Sequence, residues 1–83
     1  MVKILPSKEF IKQTKKLDKV SREKLEKQIR KILENPEVGK PLRYMRGERT
    51  LYIKLFRLIY SFKKNPEELL ILLKFEHRKS VYE

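Results

Sequence analysis

The apolar pattern of this chain changes period once, and that change constrains the fold more than any other feature. Leu25, Ile29, Ile32 and Leu33 fall at i, i+4, i+7 and i+8, the stripe of an amphipathic helix. From Thr50 the period is two, with Leu51, Ile53 and Leu55 alternating with Tyr52 and Lys54. That is the pattern of a strand with one buried face. A chain that is helical first and extended second buries its apolar surface by laying helices on a sheet. Eighty-three residues allow one such domain, spanning 1–83.

The remaining signals place the elements. Val2-Lys3-Ile4-Leu5 reads as a first strand ended by Pro6. Ser7 suits a helix N-cap, and Phe10, Thr14 and Leu17 follow at helical spacing. Asp18 to Ser21 reads as a break, with Asp18 or Ser21 capping a second helix that Asn35-Pro36 ends. Glu37 to Glu48, with Gly39, Pro41 and Gly47, reads as a loop holding a short extended piece near Leu42. Leu51 to Phe62 contains no Gly, Pro, Asn or Asp, yet a tight bend is expected around Lys54–Phe56, with one bent strand as the alternative. After the turn at Lys63–Glu67, the apolar run Leu69 to Phe75 reads as a mid-sheet strand. The expected fold is α+β, β-α-α-β-β-β, with a helical hairpin on one face of a small, mainly antiparallel sheet. No second helical layer remains for the other face, where Arg and Tyr side chains are available.

Composition narrows the chemistry. There is no cysteine and one histidine, His77, so a disulfide framework, a zinc site or a His-pair ribonuclease centre is not expected, and no cofactor is expected. The longest apolar run, Leu69 to Leu73, is far short of the ~18 residues of a membrane span. No targeting segment is recognisable, and the cytoplasm is the expected address. Against 11 acidic residues stand 22 basic ones, a net charge of +11. Such a surface attracts polyanions, of which nucleic acid, ribosome and anionic membrane are the candidates. Ten of the 15 lysines precede residue 41, whereas five of the seven arginines follow it: Arg43, Arg46, Arg49, Arg57 and Arg78. Arginine's planar fork suits bidentate phosphate contact, so the second half is where a site is expected.

Two groups stand out there. Tyr52, Lys54, Arg57 and Tyr60 lie within the strand-forming stretch, and His77, Arg78, Lys79 and Tyr82 close the chain. Antiparallel pairing would bring the second group to the first. Aromatic rings stack splayed RNA bases while arginines hold the phosphates between them. Tyr60 reads better as a core tyrosine, and Glu67-Glu68 as a solvated turn.

The sequence resembles the RelE/ParE toxin superfamily, and within it the RelE-type mRNA interferases of bacterial and archaeal type II toxin–antitoxin pairs. The resemblance covers the whole chain. It rests on the Lys-rich helical hairpin, on Asn35-Pro36 through Gly39-Lys40-Pro41-Leu42, on Phe56-Arg57-Leu58-Ile59-Tyr60, and on His77-Arg78-Lys79-Ser80-Val81-Tyr82. It implies a ribosome-dependent endoribonuclease in which the 2′-hydroxyl attacks the adjacent phosphate. It further implies Lys54, Arg57, Arg78 and Tyr82 as catalytic residues. Arg43, Arg46, Arg49, Tyr52, His77 and Lys79 would bind RNA. The implied partners are a RelB-like antitoxin, the ribosome and mRNA. Tyr52 departs from the pattern, standing where a second catalytic lysine sits in the best-known member. The alternatives are a ParE-like gyrase poison and a basic RNA-binding module without turnover.

Overall fold

The computed structural model describes residues 2–43 and 47–77. Along them run β1 (Lys3–Pro6), α1 (Lys8–Thr14), α2 (Lys19–Glu34), β2 (Lys40–Pro41), β3 (Glu48–Ile53), β4 (Phe56–Lys63) and β5 (Leu69–His77). These five strands form one sheet in the order β1-β5-β4-β3-β2. β1 runs parallel to β5, and the other pairings are antiparallel. The α+β reading holds, and the extended piece near Leu42 is the two-residue strand β2, which adds a fifth strand at the edge.

Ser7 begins the helical layer. Its side chain accepts from the Phe10 N–H at 3.0 Å and donates to the Leu73 carbonyl at 2.7 Å, so the cap of α1 is also tied to the sheet. β1 pairs with β5 only as far as Leu72. Beyond that point Ser7 takes the Leu73 carbonyl, and the Gln13 side-chain oxygen accepts the Phe75 N–H at 2.7 Å. Side chains of the first helix thus continue an edge that the short first strand leaves unpaired.

The break between the helices lies earlier than the sequence pattern suggests. α1 ends at Thr14, Leu17 falls outside it, and α2 already begins at Lys19. Local hydrogen bonds explain the shift. The Leu17 N–H turns back to the Thr14 carbonyl, and the Arg22 guanidinium donates to the same oxygen at 3.0 Å. Of the two candidate caps it is Asp18 that serves, accepting from the Ser21 N–H at 3.1 Å. The Ser21 hydroxyl, and after it this N–H bond, hold the Asp18 carboxyl below its ordinary pKa.

The core lies between the helices and one sheet face. Phe10, Leu25, Ile32, Leu58, Tyr60, Leu70, Leu72 and Phe75 form it, with Ile53 at one end. In the registers of β3, β4 and β5, Leu51, Leu58 and Phe75 share a row on this face, and the next row, Tyr52, Arg57 and Glu76, points the other way. Between Ile59 and Tyr60 the β4–β5 register shifts, because Ile59 faces Lys74 while Tyr60 faces Leu72. Leu73 is the extra residue, a bulge that keeps both Leu72 and Phe75 in the core.

Candidate functional site

The bend without a turn residue is real. β3 and β4 are joined by Lys54 and Leu55 alone, with Ile53 facing Phe56. Lys54 makes the turn by adopting φ = 52°, in the left-handed region that glycine usually occupies. For a non-glycine residue this conformation costs about 1–2 kcal/mol. Strain of this kind clusters at functional positions.

The turn fixes which residues face away from the helices. Arg57 stands between Tyr52 of β3 and Glu76 of β5, with Thr50, Ile59 and Lys74 in the next row. No helix among the described residues covers this row: Ile59 is buried yet lies outside the helix-side core cluster. A concavity of 490 Å³ crosses the face. Arg57, Ile59 and Lys74 line it, with Ser7 and Glu9 from the start of α1 and Leu42 and Glu48 from the loop and β3.

Within it the Arg57 guanidinium is held by Glu76, Nη2 to Oε2 at 3.4 Å, with both side chains only about a fifth exposed. Lys74 approaches the other carboxylate oxygen at 3.8 Å. The buried Arg57 Nε has no hydrogen-bond partner. Arg57 is thus a largely buried, oriented cation on a sheet face that no described helix covers, with Tyr52 exposed beside it. An arginine so placed can offer its fork to an oxyanion, and a ring beside it can stack on a base.

The other expected site residues separate into groups. Lys54 sits at the turn tip, on the helix side, beside Lys24. His77 faces Phe56 in the register and meets that ring edge-on at 5.3 Å, again on the helix side. Arg49 donates to the carbonyls of Gly39 at 2.7 Å and Glu37 at 3.3 Å and pairs with the Glu37 carboxylate at 3.7 Å. It therefore braces the connector between α2 and β3 instead of facing the concavity. Arg43 is exposed on the loop after β2. Arg46, Arg78, Lys79 and Tyr82 lie outside the described residues.

Tyr60 is the core residue that the sequence reading favoured. It is fully buried, its hydroxyl donating to the Pro36 carbonyl at 2.7 Å and accepting from the Gly39 N–H at 3.0 Å. Burial raises its phenol pKa. Gly39 is required for this approach, since a Cβ there would stand 2.8 Å from both the Thr50 carbonyl oxygen and the Tyr60 hydroxyl.

Sequence reasoning missed Glu76, Lys74 and Lys24. The first two were legible as alternating charges, Lys74 and Glu76, at the end of an otherwise apolar strand. Lys24 carried no signal, being one of many lysines on a helix.

Among the described residues no group of His, Cys, Asp or Glu is arranged to hold a metal ion, and no helix is long and apolar enough to cross a membrane. The model of the family described as ParE-like toxin of type II bacterial toxin–antitoxin system matches residues 4–83. No functionally curated protein matches the sequence. The chain is similar in structure to a chain of the intact E. coli RelBE toxin–antitoxin complex, at 22% identity over 89% of this chain and 93% of that one, with a TM-score of 0.78. It is similar to YafQ from E. coli at 19% identity over the whole of both chains, TM-score 0.76. A chain of the RelB–RelE antitoxin–toxin complex from Methanococcus jannaschii aligns at 18% identity over 94% of each, TM-score 0.73. At these identities the likeness establishes the fold.

Proposed function

We propose that this chain, which belongs to the ParE-like toxins of type II bacterial toxin–antitoxin systems, is a ribosome-dependent mRNA endonuclease of the cytoplasm. The observation that carries the reading is the oriented, largely buried Arg57 at a concavity on a sheet face that no described helix covers, with the exposed ring of Tyr52 beside it. In the proposed reaction the 2′-hydroxyl attacks the adjacent phosphate, the bond to the 5′-oxygen breaks, and a 2′,3′-cyclic phosphate and a 5′-hydroxyl result. Such a step needs a base, an acid and cations aimed at the charge that builds on the phosphorane. Arg57 and Arg78 are the proposed clamps, and Lys54 and Tyr82 the proposed proton-handling groups. A concavity on a sheet face does not by itself splay an RNA strand, so the ribosome would supply that geometry of the message.

Solved structures similar to this chain include toxin–antitoxin complexes of RelB–RelE and DinJ–YafQ. A chain of net charge +11 calls for an acidic antitoxin that wraps it. A second reading, a gyrase poison, is favoured by the ParE-like description of the matching family.

Primer extension on one message, with and without ribosomes, tests the proposal, together with end-group analysis of the product. Cleavage only with ribosomes and a 2′,3′-cyclic phosphate end are expected. Equal cleavage of free RNA would remove the ribosome from the account. Absence of cleavage together with inhibited supercoiling would replace it with the gyrase reading.

A further inference from the structure

Two threonines are buried among the described residues, and they differ. Thr14 is 7% exposed, and its hydroxyl donates to the Phe10 carbonyl at 2.9 Å. Thr50 is 5% exposed, and its buried Oγ1 has no hydrogen-bond partner. Valine has nearly the same shape and suits a strand as well as threonine does. Neither the strand nor its packing therefore calls for a hydroxyl at position 50. A buried polar atom without a partner is destabilising and needs another reason.

The orphaned hydroxyl has a neighbour of the same kind. Thr50 lies two residues before Tyr52 and so shares its face, the one away from the helices. Tyr52 is opposite Arg57 and Thr50 is opposite Ile59, which makes Thr50 and Arg57 diagonal neighbours across β3 and β4. Such a pair is within reach when one of its side chains is long. The Arg57 Nε is also buried without a partner, while Glu76 takes Nη2. Arg57 and Ile59 both line the 490 Å³ concavity, which therefore extends to the row in which Thr50 stands. Two buried donors on one face, Nε–H and Oγ–H, thus lie unused beside a cavity.

We propose that Thr50 is a substrate-binding residue whose hydroxyl, together with the Arg57 Nε–H, donates to one phosphate oxygen of the RNA backbone. The proposal rests on the RNA reading for its ligand. An oxyanion is what this pair of donors fits. Its oxygen accepts from two donors at once, and its charge balances a guanidinium that Glu76 meets only at 3.4 Å. Thr50 thereby fixes where on the guanidinium the phosphate sits, which charge alone does not specify.

The test removes the hydroxyl in Thr50→Val and keeps it in Thr50→Ser. Thr14→Val, which loses a hydroxyl already bonded within α1, is the control. In chloride Thr50→Val should melt at the wild-type midpoint or higher, since it removes an orphan and breaks no bond. Inorganic phosphate at matched ionic strength is the direct probe. At ~10-fold excess over its dissociation constant it should raise the wild-type midpoint by roughly 6–11 °C. That rise should fall by more than half in Thr50→Val and persist in Thr50→Ser and Thr14→Val. Thr50→Val should also bind a single-stranded RNA blocked by 2′-deoxy substitution at least ~10-fold more weakly, the effect of one hydrogen bond to a charged group. The salt slope should not change, because no charge is removed. Undiminished stability with weaker binding is a combination that a merely structural threonine does not give. A full phosphate rise in Thr50→Val, or none in the wild type, would overturn the seat. So would an equal, Thr50-dependent rise with acetate, since it would assign the two donors to the carboxylates of an acidic protein partner. A Thr50-dependent phosphate rise with unchanged RNA binding would overturn it as well, leaving a site for free phosphate. A Thr50-dependent rise and weaker RNA binding without any RNA cleavage would keep the seat and remove the endonuclease reading. RNA cleavage with wild-type binding and a full phosphate rise in Thr50→Val would do the reverse.

Discussion

Tyr60→Phe removes one oxygen atom and should cost this protein a large share of its stability. The hydroxyl is the point where the connector after α2 is fastened to the sheet, donating to Pro36 and accepting from Gly39. The Gly39 N–H is buried there and has no water to turn to, while the Pro36 carbonyl is partly exposed. Orphaning a buried polar group costs about 1–3 kcal/mol, so the pair amounts to roughly 2–4 kcal/mol, the partly exposed carbonyl contributing less. An 83-residue domain has roughly 4–12 kcal/mol in all. At about 4–8 °C per kcal/mol for a chain of this size, the midpoint should fall by at least ~8 °C. Thermal unfolding followed by circular dichroism measures it. A loss below ~4 °C, equivalent to less than about 1 kcal/mol, would refute the claim that this hydroxyl fastens the connector. A pH titration adds a second readout. Burial raises the phenol pKa in the folded protein, whereas the unfolded phenol ionises near 10. Above that pH the unfolded chain releases a proton that the folded one retains, so wild-type stability should fall as pH rises through and beyond 10. The Phe variant should lack that component.

Glu76→Gln should cost about 1 kcal/mol by loosening a half-buried pair, yet strengthen binding of blocked single-stranded RNA beyond the gain from Glu67→Gln, a matched charge change in the exposed β4–β5 turn. Fluorescence anisotropy decides it, and weaker binding than wild type would mean that the carboxylate positions Arg57 for RNA and does not compete for it. Lys54→Gly should melt higher than Lys54→Ala by roughly 4–8 °C, because only glycine relieves the left-handed backbone. Both variants should lose cleavage equally, and retention of full activity in either would remove Lys54 from the reaction.

The sequence carries the sheet and the helices because apolar period and capping residues are local signals. Ser7 as a cap and Leu69 to Phe75 as a central strand follow from a few neighbouring residues, whereas the bend near Lys54 is expected only from the length of the strand-forming stretch, since no turn residue marks it. The start of α2 did not, since Arg22 and Asp18 settle it by reaching back to Thr14 and forward to Ser21. The site is less legible for a related reason. Arg49 and Arg57 are alike in sequence, and only the register puts one on the helix side with the Gly39 carbonyl and the other on the open face with Glu76. Tyr52 and Arg57 do meet there, but the alternation that pairs them also sends His77 to the opposite face beside Phe56.

That alternation makes the two-residue turn the controlling feature of the site. Ile53 and Phe56 face each other and both point inward, so Arg57, the next residue, must point outward beside Tyr52. One more residue in the turn, with β3 and its core contacts unchanged, would move every β4 side chain to the other face. Arg57 would then enter the helix-side core, and Leu58 and Tyr60 would leave it. A glycine could make the same bend at less cost to the backbone, but it would bring no ammonium group to the hairpin tip. Lysine at this left-handed position therefore joins two requirements. Its backbone fixes the register that exposes Arg57, and its side chain stands beside Lys24 on the far side of the same turn.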